Sequence, residues 1–139
     1  MKKVLFLSSL LLVAGIATSF TWSHSADSAM KKLTIKFVYN GVVEGYDHDN
    51  KMVATIDDDA TYESEVKPTS KNNKLVISLP KGKHTIHLTN YAFYEGNWEE
   101  RTLDNNYTFD CIFEKEINLK KSMTLDLVFD LDERAVIEK

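Results

Sequence analysis

The chain has 139 residues, 43% of them hydrophobic and 27% charged, with 17 Lys and Arg against 21 Asp and Glu for a net charge of −4. An acidic chain repels phosphate backbones and offers no basic patch to anionic lipid, which excludes nucleic acid and an anionic membrane surface as partners. Its one cysteine, Cys111, excludes an intramolecular disulfide.

Met1-Lys2-Lys3 is basic, Val4 to Ala17 is uncharged and mostly Leu, Val, Ala and Ile, and Thr18 to Ser23 is small and polar with two aromatics. That order predicts a secretory signal peptide over residues 1–25, cleaved between 19 and 29. The apolar run is shorter than the about 20 residues a bilayer span needs. No integral membrane segment is therefore expected after processing, and the predicted location is periplasmic or secreted. Loss of Lys2 and Lys3 leaves 15 basic against 21 acidic residues, a net charge near −6. A linker is expected over 26–32, one domain over 33–132 and a tail over 133–139. A domain of this size buries a core without staples.

Within that domain the dominant signal is period two, which places alternate side chains on opposite faces of a strand. Leu33, Ile35, Phe37 and Tyr39 share one face, and Asn40-Gly41 signals a turn. Met52, Ala54 and Ile56 follow, then Leu75, Ile77 and Leu79. Pro80-Lys81-Gly82-Lys83 reads as a tight connection, because Pro fixes φ and Gly supplies a positive one. Ile86 and Leu88 continue on the next strand. Tyr107, Phe109, Cys111 and Phe113 share a face, and Met123, Leu125, Leu127, Phe129 and Leu131 form the longest apolar face. Strands that alternate, rather than run continuously apolar, point to antiparallel sheets with one solvated face. The expected fold is all-β, an antiparallel β-sandwich of about seven strands.

The run Leu75-Val76-Ile77-Ser78-Leu79-Pro80-Lys81-Gly82-Lys83-His84-Thr85-Ile86-His87-Leu88 resembles the carboxypeptidase-regulatory-like and PEGA-like domains, with a hairpin before a core strand. The resemblance covers this stretch alone, and the Pro-Glu-Gly-Ala signature is absent. It implies an Ig-like or transthyretin-like sandwich and a non-catalytic accessory or binding module, with no functional residues to transfer.

Three groups of residues carry candidate chemistry. Asp47, Asp49 and Asp58 supply the hard oxygens that calcium prefers. Lys51 and Met52 in the middle exclude an EF-hand, which leaves an irregular site between two adjacent loops or, more simply, two solvated turns. His84 and His87, three apart on a strand, point to opposite faces, and no spacing joins them to His48 and Cys111 as a zinc site. Cys111 is expected as a small buried hydrophobe. No Gly-x-Ser-x-Gly elbow marks a nucleophile.

The third group is aromatic. Tyr94, Trp98 and Tyr107 flank turns at Glu95-Gly96-Asn97 and Asp104-Asn105-Asn106. Aromatics with polar tips at loop ends suit a protein hot spot or sugar stacking, and they also suit a plug at the end of a core. Asn106-Tyr107-Thr108 matches the glycosylation sequon. The expected function is binding to another cell-envelope or extracellular protein, through an edge strand or the Tyr94–Trp98 loop. The second reading is a carbohydrate-binding or adhesion module on the same aromatics with calcium in the Asp loops. A small secreted hydrolase is the third.

Overall fold

A computed structural model describes residues 29–139. The leader expected over 1–25, and the first part of the linker, lie outside the described residues. No helix among the described residues is long and apolar enough to cross a membrane.

Two sheets pack face to face. The four-stranded sheet has the order β10-β9-β1-β5, with β1 at Met30–Asn40, β5 at Asn73–Pro80, β9 at Met123–Asp130 and β10 at Ala135–Glu138. The six-stranded sheet is built on β2 (Asp49–Ile56) and β6 (Gly82–Tyr94). On the far side of β2 lie β3 (Ala60–Glu63) and β4 (Lys67–Pro68). On the far side of β6 lie β7 (Asn97–Glu100) and β8 (Ile112–Leu119). The all-β sandwich expected from the period-two pattern is the observed architecture.

The alternation places the core directly. Leu33, Ile35, Phe37 and Tyr39 on β1 face Met52, Ala54, Ile56, Ile86 and Leu88 across the interior, and all are under 10% exposed. Phe129 is fully buried, stacked on Tyr39 at 4.9 Å and edge-on to Phe37 at 6.3 Å. Gly41 turns the chain after β1 at φ 90°, where a Cβ would sit 3.3 Å from Leu131 Cβ.

Four expectations are corrected. First, β1 pairs β9 in parallel, Leu33 opposite Met123 through Asn40 opposite Asp130. The two strands are distant in sequence, so the chain between them supplies the long crossover that parallel pairing requires. Second, the tail over 133–139 is largely strand: Ala135–Glu138 pairs antiparallel with β9, which lets Val136 pack on the core. Third, Tyr107 to Cys111 is not strand. The main chain leaves the edge after Arg101 and returns at Cys111, and its neck is closed by Cys111 N–H donating to Arg101 O at 2.8 Å. Phe109 and Cys111 are buried because this loop folds over the core, not because they lie on a sheet.

Fourth, Pro80-Lys81-Gly82 is not a hairpin. It carries the chain from β5 in one sheet to β6 in the other, with Gly82 at φ 133°. His84 pins this corner. Its Nε2 donates to Pro80 O at 2.7 Å and its Nδ1 to Asp57 Oδ2 at 2.8 Å. Both partners are acceptors only, so both ring nitrogens must carry protons and the imidazolium is favoured.

Burial pulls the His84 pKa down, but the Pro80 carbonyl and Asp57 carboxylate outweigh it and hold it above its ordinary value. The His84 bond and the Thr85 N–H hold Asp57 below the usual carboxylate range. A raised histidine contributes fully below its unfolded pKa of about 6.5, and the contribution is lost as pH rises through the folded value. The depressed Asp57 contributes above its unfolded pKa of about 3.9, and the contribution is lost as pH falls through its folded value. Melting temperature should therefore fall as pH rises above the unfolded histidine pKa of about 6.5, and less so in Asp57→Asn. Parallel profiles for the two proteins over that range would contradict the assignment.

Candidate functional site

One end of the sandwich gathers the buried polar side chains Asn50, Thr69, Asn90 and Arg101. Tyr39, the last inward residue of β1, donates its hydroxyl to Asn90 Oδ1 at 2.5 Å. Asn90 Nδ2 donates to Asn50 Oδ1 at 3.0 Å, and Asn50 Nδ2 donates to Lys67 O at 2.9 Å. Asn90 and Asn50 are essentially unexposed. Burial pushes the Tyr39 hydroxyl well above its ordinary pKa, so it stays a donor.

The same residue anchors the loop. Asn90 N–H donates to Cys111 O at 3.0 Å, and Asn90 O accepts Arg101 N–H at 2.9 Å. The edge strand is thus split at Asn90, with β7 pairing Tyr91–Tyr94 and β8 pairing Gly82–Thr89. Residues 102–110 form the excursion. A 3-10 turn at Leu103–Asn105 ends on Asn106 at φ 68°, and Asp110 Oδ1 accepts Leu103 N–H at 2.8 Å.

Above Tyr39 lies Arg101. It is 5% exposed, with its Cζ 4.7 Å from the Tyr39 ring centre and 5.6 Å from that of Tyr107. Its Nη2 donates to Thr69 Oγ1 at 2.6 Å, and Thr69 Oγ1 donates onward to His48 O at 2.5 Å. Its Nε is buried and has no hydrogen-bond partner.

These groups floor a pocket of about 790 Å³. Tyr46, Tyr94 and Tyr107 supply aromatic wall, Val42, Val43 and Leu131 apolar wall, and Asn97, Asn105 and Asn106 amides. Tyr107 donates its hydroxyl to Glu99 Oε1 at 2.7 Å; burial first, and this bond second, raise its pKa. His48 stands edge-on to Tyr94 at 5.1 Å.

The three aromatics singled out in the sequence divide. Tyr94 and Tyr107 line this pocket. Trp98 pairs with Phe93 on the outer face of the six-stranded sheet, their rings 5.2 Å apart, with Lys51 Nζ 4.6 Å above the indole. Strand parity separates them: Trp98 and Glu100 point out, whereas Asn97, Glu99 and Arg101 line the pocket. Arg101 was legible only through that parity, which a turn followed by a loop conceals.

Asp47, Asp49 and Asp58 are not brought together. Asp47 and Asp49 lie at one end of β2 and Asp58 beyond the other, roughly 23 Å of strand between them. The two loops are thus at opposite ends of a strand, not adjacent. Asp47 accepts Ser70 Oγ–H and N–H at 2.6 and 2.7 Å, and these bonds lower its pKa. It clasps the loop after β1 to the turn after β4. Asp58 sits in the β2–β3 turn at φ 56°. His84 faces inward and His87 outward, where it meets Glu114 at 2.5 Å.

No family model, no curated protein and no solved structure matches this chain. The site is read from its own geometry. Cys111 is 2% exposed, and burial pushes its thiol up to about 11. At about pH 8 the native protein should leave Ellman's reagent uncoloured for minutes, and unfolding in urea should release one thiol per chain. Rapid native labelling would show that the loop over Cys111 opens.

Proposed function

We propose that this chain is an exported, non-catalytic β-sandwich module that binds a segment of another cell-envelope or extracellular protein in the end pocket beside the Tyr94–Trp98 turn. One observation carries the reading: the pocket combines aromatic walls, side-chain amides and a buried guanidinium with an unsatisfied Nε. Anchored, concave and mostly apolar sites with a few convergent polar groups are where ligands bind. The chemistry of the individual groups favours binding over catalysis. Cys111 is buried as a thiol, and His84 is engaged on both ring nitrogens.

A carbohydrate ligand is the second reading, favoured by Tyr94 and Tyr107 sharing one pocket with three asparagines. Calcium assistance from Asp47, Asp49 and Asp58 has no support in their placement.

The test is cross-linked capture from the protein's own envelope and culture fractions, using unaltered, Tyr94→Ala and Trp98→Ala bait. A partner held through the pocket should lose about 2 kcal/mol, roughly 30-fold, with Tyr94→Ala and little with Trp98→Ala. Both variants should melt as folded proteins, since Tyr94 is 43% exposed. Retention of a polysaccharide rather than a protein, lost with Tyr94→Ala, would select the second reading. A partner indifferent to Tyr94→Ala would place binding elsewhere, on an edge strand.

A further inference from the structure

The end pocket, taken as the binding site on the reading above, contains a cation with no ion-pair partner among the described residues. Side chains as charged and as buried as Arg101 are almost always paired, because a lone charge stripped of water is costly. Among the described residues the ion pairs are Lys51–Glu63, His84–Asp57, His87–Glu114 and Lys115–Glu138, and none involves Arg101. Its close contacts are the Thr69 hydroxyl and the faces of Tyr39 and Tyr107, while the Asp47 carboxylate, held by Ser70, feels its charge without forming an ion pair. Two carboxylates do line the pocket. Glu99 is engaged by the Tyr107 hydroxyl, and Glu95 is exposed in the turn.

We infer that Arg101 is the receptor for a carboxylate, so that the pocket takes a carboxylate-bearing segment of a partner protein: its C-terminus or an Asp or Glu side chain. A guanidinium offers a planar fork of donors that matches the two oxygens of a carboxylate. Two rim carboxylates beside one buried cation disfavour a dianion such as phosphate, which brings more charge than Arg101 can balance. The wall of Val42, Val43 and Leu131 selects a peptide over an acidic sugar, because it needs apolar side chains against it. Nε is buried and unpartnered, so the guanidinium's bonding within the protein is incomplete, and a ligand meets it through the part that lines the pocket.

Four probes test this by nitrogen–proton NMR on the purified protein: N-acetylphenylalanine, N-acetylaspartic acid amide, N-acetylphenylalanine amide and glucuronate. One or both of the first two should shift the Arg101 Nε–Hε resonance and saturate in roughly the millimolar range expected of fragments. The tighter of those two identifies the source of the carboxylate. The amide should bind at least about 10-fold more weakly than its acid. Arg101→Met, apolar and of similar reach, should melt at or above the unaltered protein and lose acid binding at least about 10-fold. If that variant fails to fold, the Nε–Hε shift in the unaltered protein still decides, and Arg101→Lys supplies the comparison.

Equal binding of acid and amide would overturn the carboxylate while leaving the pocket as a binding site. Binding of glucuronate with both peptide acids silent would overturn the protein segment. No movement of any pocket resonance with all four probes would overturn both this inference and the pocket reading.

Discussion

The hydrogen bond from Tyr39 to Asn90 governs this molecule at the end where it differs from a plain sandwich. Tyr39 belongs to the four-stranded sheet and Asn90 to the six-stranded one, so the bond is a polar tie across an otherwise apolar interior. Each end of it has been desolvated, and neither can be left unpaired without a cost of about 1–3 kcal/mol. Asn90 must then satisfy its amide as well, which it does on Asn50. Its backbone N–H and C=O are taken by Cys111 and Arg101. One residue therefore sets the spacing of the sheets, the neck of the loop and the entry point of Arg101. A pocket wall held by that many fixed bonds is preorganised, which reduces the ordering cost of binding.

Magnitudes separate this end from the outer face. Trp98 and Lys51, both half-buried, and the exposed Phe93 form a cluster on the outer sheet face, and Lys51 also meets Glu63 at 2.9 Å. A surface ion pair with one partner in solvent is worth about 1 kcal/mol or less and a partly solvated cation–π contact about the same. Such groups have water as an adequate partner and no deficit for a ligand to repair. Arg101 differs because water is largely kept from it. Contacts made there are little screened, so a matched ligand gains more from one bond than from the whole surface cluster.

The core was legible in the sequence because burial on one face imposes period two, and Leu33 through Tyr39, Leu75 through Leu79 and Leu125 through Phe129 obey it. Pairing was less legible. Nothing local distinguishes a strand whose neighbour runs parallel, so β1 beside β9 emerges only from the assembled sheet. Pro-x-Gly permits a reversal but does not say whether the next strand joins the same sheet; the His84 bonds settle the corner. Tyr107, Phe109 and Cys111 alternate as a strand would, yet a loop lying over a core also buries every second residue. The site suffered most from this. Tyr94 and Tyr107 were visible as aromatics near turns, whereas Arg101 reads as one more charge in an acidic chain until β7 fixes its face.

That acidity shapes how such a pocket selects. The described residues hold 15 Lys and Arg against 20 Asp and Glu, a net charge of −5. A carboxylate ligand is therefore repelled at distances beyond a few ångströms and attracted only where Arg101 is exposed to it. Long-range repulsion slows encounter and is relieved by salt, with a Debye length of about 8 Å at physiological ionic strength. The short-range contact is desolvated and escapes that screening. Affinity is thus concentrated in groups that meet the ligand after it has entered, and diffuse anions gain nothing from the protein's field. A binding module with this charge distribution discriminates by fit at one buried cation, where a basic surface would collect acidic molecules without regard to shape.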